Sequence, residues 1–153
     1  MSRAEPVGDE ITLTPMLGAL LRRPLRALAL RVAADLAAAG FGELRPSHLV
    51  VFQGLDAAGS RLTDLATRAH MTKQSLGALV DDLEHWGYVE RLPDTTDGRV
   101  KIVRRTERGW AVERTARASV AAFEREWTEQ VGAERMAQFR SVLEELARGT
   151  MDK

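Results

Sequence analysis

Apolar residues recur along most of the chain at intervals of three or four, the spacing of one face of an α-helix. The first such run covers residues 17–36 and predicts a long helix, which Gly40 should end. Pro24 lies inside this run, and because proline removes a backbone donor we expect the helix to kink or restart there. Pro46 is expected to start a second helix, since proline fits a first turn.

Two short helices are predicted next, with a very short connection between them. Ser60 is the candidate cap of the third helix, and Thr72 is the candidate cap of the fourth helix, which Gly87 should end. The third helix turns its apolar side inward at helical spacing, through Leu62, Leu65, Ala66 and Ala69. Only His70 and Met71 separate the two helices, so the chain must turn sharply, as in a helix-turn-helix.

A hairpin is predicted after the fourth helix. Residues 88–92 form a short strand, residues 93–98 form a turn rich in Asp, Thr and Gly, and residues 99–104 form the return strand. Thr106 should cap a long fifth helix, which Gly132 separates from a sixth. The pattern predicts a mainly α protein with a small β-hairpin wing, a winged helix-turn-helix. Two short helices beside a basic hairpin fit the groove of a nucleic acid.

The outer helices suggest how the domain is organised. We expect residues 1–12 to be flexible and residues 13–153 to form a single winged helix domain. Its DNA-binding lobe covers about residues 46–105, and the N- and C-terminal dimerisation helices cover about 13–40 and 106–148. The small lobe covers only part of the apolar faces of these helices, so they must pack on each other within one chain or across two. We favour a two-fold homodimer, the commonest oligomer. The alternative is a monomeric helical bundle.

Composition excludes several classes of function. Cysteine is absent and the three histidines form no HxxxH or HExxH pair, so we expect no metal and no cofactor. The chain has no serine elbow and no phosphate loop, so we expect no enzyme. The acidic first residues do not resemble a signal peptide, and charges interrupt the Leu/Ala run, so we expect a cytoplasmic protein without a membrane span. A net charge of zero argues against indiscriminate coating of nucleic acid.

An ordered set of short motifs resembles the MarR-type winged helix-turn-helix regulators. The motifs are DDLE at 81–84, GYVER at 87–91, DGR at 97–99 and TERG at 106–109. The flanking helices follow the family's order of elements, so the resemblance covers most of the chain. It implies a homodimer that binds a pseudo-palindromic operator in double-stranded DNA and commonly represses transcription. It also implies release of DNA when a small, often phenolic or anionic, effector binds between the dimer helices and the lobe.

The fourth helix is expected to enter the major groove with its N-terminal half toward the bases. Gln74 is the candidate for base readout, because its amide can both donate and accept. The other candidate DNA contacts on this helix are Thr72, Lys73, Ser75, Gly77 and Ala78. Ser60 and Arg61 are candidate phosphate contacts at the start of the third helix. The alternative interpretation is that Thr72 and Ser75 only cap the helix and that Lys73 and Gln74 are ordinary surface residues.

The wing supplies the remaining candidate DNA contacts. The resemblance implies that Arg99 enters the minor groove, where narrow A·T stretches have a strong negative potential. Lys101 should contact phosphate from the same strand. Asp97 should orient the wing through hydrogen bonds or an arginine pair, since DNA would repel it. The alternative is that Arg99 only protects the edge of a strand.

An effector cleft is predicted between the first and second helices. Arg26, His48 and Phe52 are the candidate lining residues, because an aromatic and cationic lining suits a small aromatic acid. The alternative is that Phe52 belongs to the core and that the other two lie on the surface.

The chain departs from the family pattern at several positions. Arginine or lysine is common in the family where Ala78 and Asp82 stand, and leucine is usual where Arg105 precedes the threonine. Asp82 should repel phosphate, and with Asp81 and Glu84 it makes the second half of the fourth helix acidic. This acidity supports an alternative function, a winged-helix module that binds a protein partner with weak or no DNA binding.

Overall fold

The structure, a computed structural model, describes residues 16–151. The predicted flexible segment 1–12 lies outside the described residues. The helices are α1 (Leu17–Ala38), α2 (Pro46–Gly54), α3 (Leu62–Arg68), α4 (Lys73–His85), α5 (Glu107–Val131) and α6 (Ala133–Met151). The strands are β1 (Ser60–Arg61), β2 (Val89–Pro93) and β3 (Lys101–Arg105), and they form an antiparallel sheet in the order β1–β3–β2. The predicted winged helix-turn-helix architecture is confirmed.

Helix α1 differs from the prediction at Pro24. It runs as one helix through this residue, so of the two predicted outcomes, a kink or a restart, the restart does not occur. Proline removes a single backbone N–H, and the turns on either side keep their own hydrogen bonds. The C-terminal half of α1 packs along α5 and buries Val32 and Leu36, which holds that half in place.

Strand β1 is missing from the prediction. Ser60 pairs with Val103, and Arg61 pairs with Ile102. The predicted role of Ser60 as the cap of α3 is wrong. Its hydroxyl donates to Asp56 Oδ2 at 2.9 Å and accepts from the Asp56 N–H at 3.0 Å, so it closes the preceding loop instead.

The predicted caps of α4 and α5 are confirmed. Thr72 Oγ1 accepts from the Ser75 N–H at 3.1 Å, and Thr106 Oγ1 accepts from the Gly109 N–H at 3.2 Å. Gly87 follows the end of α4 with a φ of 74°, in the left-handed region that favours glycine. Since β2 begins two residues later, this turn sets the direction of the wing.

The core lies between the lobe and the inner halves of α1 and α5. Its largest fully buried side chain is Tyr88, at the junction of α4 and β2. Helix α6 buries none of its side chains in the part of the chain that the structure describes. Large apolar side chains stand exposed on the outer helices, at Leu17, Leu20, Leu21 and Leu25 of α1 and at Phe139, Val142 and Leu143 of α6. One copy of the chain therefore leaves these faces uncovered.

Candidate nucleic-acid interface

The turn between α3 and α4 covers residues 69–72, of which Ala69 and Thr72 are the caps of the two helices. His70 has a φ of 50°, and the Met71 N–H donates back to the Ala66 carbonyl at 2.9 Å. This hydrogen bond reaches around His70 and closes the C-terminus of α3. His70 takes the left-handed conformation that glycine often adopts at the end of a helix. Helix α4 therefore starts at once and presents its N-terminus to solvent.

The N-terminal face of α4 is open. Thr72, Lys73, Gln74, Ser75 and Ala78 are all exposed. The hydroxyls of Thr72 and Ser75 bond to each other at 2.8 Å, which fixes both at the helix start. These positions, Gln74 among them, are the ones predicted for base and phosphate contact, and each remains accessible to DNA.

Gly77 differs from these neighbours, because it is half-buried. A Cβ built there would lie 3.8 Å from the Leu62 side chain, an ordinary contact distance. Gly77 therefore faces α3 at least as much as open solvent.

The wing turn is ordered by two carboxylates. Asp94 accepts from the Thr96 hydroxyl at 2.7 Å and its N–H at 2.9 Å, and pairs with Arg61 Nη2 at 2.7 Å. These bonds, first the one from the Thr96 hydroxyl, hold the pKa of Asp94 well below its usual value. Asp97 accepts from the Arg99 N–H at 3.1 Å, as the predicted wing-orienting role requires. The Asp94 contribution was not predicted, although an Asp two residues before a Thr is a turn signal.

The cations of residues 46–105 fall into two groups. One group is paired with carboxylates: Arg61 with Asp94, Arg68 with Asp56, Arg91 with Asp81 and Glu84, Arg104 with Glu90, and Arg105 with Glu113. The other group has no carboxylate partner among residues 16–151. Its members are Lys73, Arg99 and Lys101, and we call them the unpaired cations. All three were predicted to contact DNA, and all three are exposed.

The acidic second half of α4 is tied to the protein itself. Asp81 pairs with Arg91 Nη2 at 2.6 Å, and Asp82 Oδ2 lies 3.3 Å from His48 Nε2. His48 Nδ1 accepts from the Arg45 N–H at 3.0 Å, so Nε2 carries the ring proton and donates to Asp82. This hydrogen bond links α4 to α2. It comes from a neutral imidazole, so the negative charge of Asp82 stays in place, and its side chain is 56% exposed.

Two residues that were predicted to contact phosphate, Ser60 and Arg61, bind other residues of the protein. Ser60 is 4% exposed and its hydroxyl is engaged with Asp56, so the prediction that it contacts phosphate is wrong. Arg61 is exposed but holds Asp94, so it would have to share its guanidinium with DNA.

Arg105 belongs to the interior, although the sequence groups it with the basic run of the wing. It is 6% exposed and donates to the carbonyls of Phe52, Leu55 and Asp56 at 2.6, 3.1 and 3.1 Å. Burial lowers its pKa, and the nearby Glu113 carboxylate opposes that shift. An arginine nonetheless stays charged in a protein.

An open cleft of about 950 Å³ lies between α1, α2 and α5. Its walls are mostly apolar, and its charged lining residues are Arg105, Glu113, Arg117 and Glu124. Of the predicted effector residues only Phe52 lines it. His48 is 1% exposed and packs edge-on against Trp86, and Arg26 points to solvent, so the predictions for these two residues are corrected.

Other kinds of site were sought over the same described residues. No group of three potential metal-ligating side chains occurs among them. None of their helices is long and apolar enough to cross a membrane.

The fold and the exposed face of α4 define a winged helix-turn-helix protein, with α4 and the wing open on the surface. A sequence model of the MarR family matches residues 42–100. Over these residues the chain resembles the MarR family of transcriptional regulators. No curated protein sequence matches the chain.

Solved structures of the family share the fold over nearly the whole chain. CouR from Rhodococcus jostii, bound to p-coumaroyl-CoA, is 28% identical with a TM-score of 0.67, covering 86% of this chain and 92% of its own. A MarR family protein of Mycobacterium tuberculosis, in complex with salicylic acid, is 29% identical with a TM-score of 0.65, covering 87% of this chain and 97% of its own. MarR from E. coli, in its reduced form, is 22% identical with a TM-score of 0.71, covering 87% and 97%, and shows the fold alone.

Proposed function

We propose that the protein is a homodimeric repressor that binds a pseudo-palindromic operator and releases it when a small organic anion binds. Helix α4 enters the major groove with Gln74 toward the bases, and Arg99 reaches the minor groove from the wing. Lys73 and Lys101 contact phosphates on either side. The resemblance to the MarR family supports DNA-binding regulation.

One observation carries the DNA-binding proposal. The unpaired cations lie on α4 and the wing, the two elements that a winged helix presents to a duplex. The other cations of the lobe are paired with carboxylates, which cancels much of their attraction for phosphate. Positive charge is thus available where a duplex would lie.

A gel shift with DNA flanking the protein's own coding sequence tests this interface. Arg99→Ala should weaken binding at least about tenfold, because charge-assisted contacts contribute about 1.5–3 kcal/mol. The matched control is Arg104→Ala, which removes an exposed wing arginine that is already paired with Glu90 at 2.8 Å. Equal effects of the two substitutions would refute the interface.

Base readout needs a separate measurement. Gln74→Ala should change which operator positions tolerate substitution, because a bidentate amide contact to a base is worth about 1–3 kcal/mol of discrimination. A footprint on a set of single-position operator variants measures this change. An unaltered preference would remove Gln74 from base readout and leave the phosphate contacts standing.

The protein-partner function keeps part of its support. It rests on the acidic second half of α4, where Asp81 and Glu84 pair with Arg91 and Asp82 keeps its charge beside His48. The two functions differ in their response to salt, since DNA binding should weaken steeply as salt rises. A flat response would favour the partner function.

The exposed apolar faces of α1 and α6 support the dimer. A second copy of the chain would cover them and would set two reading helices on one side of a duplex, with half-sites about one helical turn apart. Light scattering after size-exclusion chromatography should give twice the mass of one chain. Leu143→Glu should reduce the mass to one chain at micromolar concentration, and Leu143→Ala should not. A wild-type mass of one chain would refute the dimer.

The cleft beside α5 supports effector binding. Its apolar walls suit an aromatic or alkyl body, and its arginines suit an anionic group. Ala116 lines the cleft, so Ala116→Phe should fill it and prevent salicylate from releasing DNA. Ala118→Phe is the matched control, because Ala118 is exposed on the same helix and does not line the cleft. Identical release in both variants would place the effector elsewhere.

A further inference from the structure

Arg105 connects the cleft to the reading lobe. It lies on the cleft lining, with its guanidinium 4.8 Å from the centre of the Trp110 ring. Its hydrogen bonds go to the carbonyls of Phe52, Leu55 and Asp56, at and just beyond the C-terminus of α2. A helix C-terminus leaves carbonyls unsatisfied and attracts cations, so Arg105 serves as the cap of α2.

Glu113 stands between two arginines in the same lining. Its Oε2 lies 2.5 Å from Arg105 Nε, and its Oε1 accepts from Arg117 Nε and Nη2 at 2.9 and 2.8 Å. The contact with Arg105 is a close ion pair without hydrogen-bond alignment. Arg105 Nε and Glu113 Oε2 are therefore buried atoms that lack a hydrogen-bond partner among the described residues. Because Glu113 holds Arg105 with one oxygen and Arg117 with the other, a change at Arg117 bears directly on Arg105.

The two arginines differ in exposure. The side chain of Arg105 is 4% exposed, whereas the side chain of Arg117 is 79% exposed. An anion entering the cleft therefore meets Arg117 first and competes there with Glu113. The fourth charged lining residue, Glu124, pairs with Arg140 at 2.8 Å. Its negative charge should favour a ligand with a single anionic group and an apolar body.

We propose that Arg105, Glu113 and Arg117 form a ligand-operated link, in which an organic monocarboxylate takes Arg117 from Glu113 and thereby shifts the Arg105 cap of α2. The inference rests on the proposed effector function and specifies the ligand class and the route of regulation. Arg117 is the recognition residue. Arg105 is a positioning residue, which acts on the lobe through the carbonyls that it holds.

The route from Arg105 to the reading helix is short. Asp56, whose carbonyl Arg105 holds, accepts from the Ser60 hydroxyl and from Arg68 Nη1. Arg68 also donates to the Gly54 carbonyl at 2.7 Å. It therefore binds the C-terminus of α2 through this carbonyl and the loop after α2 through the Asp56 carboxylate. A shift of Arg105 would therefore disturb contacts at both the start and the end of α3. Helix α4 packs against α3 and would be displaced with it.

Ligand binding is tested without DNA, by calorimetry or by quenching of tryptophan fluorescence. The probes are salicylate and p-coumarate, with the neutral amide of each as the control. Each carboxylate should bind at least about tenfold more tightly than its amide, because the amide cannot form a charge-assisted bond. Binding of neither carboxylate at millimolar concentration, or equal binding of acid and amide, would overturn the proposal.

Three variants test the roles within the link. Arg117→Gln should weaken carboxylate binding about tenfold, and Arg114→Gln, an exposed arginine of α5 outside the cleft lining, should not. Glu113→Gln should tighten carboxylate binding, because it removes the competing charge. A purely structural role for Glu113 predicts no such gain. Equal affinity of the Arg117 and Arg114 variants, or weaker binding by the Glu113 variant, contradicts the assignment.

Transmission is tested with the double variant Arg105→Leu, Glu113→Gln, which avoids leaving a buried charge alone. The DNA affinity of the double variant is measured with and without ligand, and the value without ligand is the reference. Salicylate should no longer change that affinity, although it changes the affinity of the wild type. Release equal to that of the wild type would overturn the link. If the wild type binds carboxylates and no DNA, the proposed function fails and the carboxylate site stands.

Discussion

Tyr88 offers a direct test of the junction between the reading helix and the wing. It is fully buried, its hydroxyl donates to Glu43, and the Arg108 guanidinium lies 4.4 Å from the centre of its ring. Its backbone carbonyl accepts from the Thr106 N–H at 3.1 Å, so the start of α5 is fixed to the same residue. A correct fold therefore keeps this phenol away from water and close to a carboxylate.

Burial, and next the bond to Glu43, raises the pKa of Tyr88 from 10.0 to about 12. The folded protein thus favours the neutral phenol, whereas the unfolded chain ionises at its ordinary value. The stability that the buried Tyr88 phenol contributes should therefore be constant below pH 10 and should be lost as the pH rises from about 10 to about 12. A shift of about two units corresponds to a loss of roughly 3 kcal/mol in the free energy of unfolding.

The measurement is clean because the chain has one tyrosine. Tyrosinate absorbance against pH gives the folded-state pKa directly, with circular dichroism as the check that the protein is still folded. Glu43→Gln should lower this pKa without bringing it to 10, since burial is the larger cause. Tyr88→Phe should abolish the part of the alkaline loss of stability that ionisation of Tyr88 causes in the wild type. Ionisation near 10 in folded protein would refute the described packing of Tyr88.

Three substitutions test the local geometry. Gly109→Ala should destabilise the protein by about 3 kcal/mol or more in urea unfolding, because the new Cβ would lie 2.1 Å from the Tyr88 carbonyl oxygen. A loss below about 1 kcal/mol would contradict that contact. Thr72→Ala should cost about 1 kcal/mol by removing the α4 cap, and Thr72→Ser should restore most of it. Gly77→Ala should stabilise α4 by up to about 1 kcal/mol, because Leu62 leaves room for the methyl group. Weaker DNA binding by this stabilised variant would show that a close backbone approach is needed there.

The sequence predicts the elements whose signals are local. Thr72 and Thr106 each cap a helix through an N–H three residues on, and Gly87 ends α4 through its own backbone angle. The sequence does not predict β1, because two residues carry no alternation and their strand exists only through pairing with Val103 and Ile102. The information for that strand lies about forty residues away.

The same limit explains the errors in the predicted effector site. His48 is placed by Asp82 on another helix, and Arg105 is placed by the carbonyls of residues 52–56. For His48 the residue type suggested a ligand role, and Arg105 was noted only as a departure from the leucine that is usual in the family. The partner that fixes the residue in the interior is distant in the sequence. Burial of a charged residue follows from such partners, and a linear pattern does not reveal them.

The charge arrangement yields a quantitative expectation for DNA binding. If each unpaired cation neutralises one phosphate and the protein is a dimer, about six counterions are released, and the slope of log K against log salt should be about −5. Opening of the Arg61–Asp94 ion pair would recruit Arg61 as well and would steepen the slope to about −7. That pair costs little to open, since exposed ion pairs contribute about 1 kcal/mol or less. A slope near −5 therefore means that the free protein already displays its DNA-binding charge, and a slope near −7 means that DNA frees Arg61 from the wing. Removing Lys101 should reduce the magnitude of the slope by about two, one phosphate from each copy of the chain.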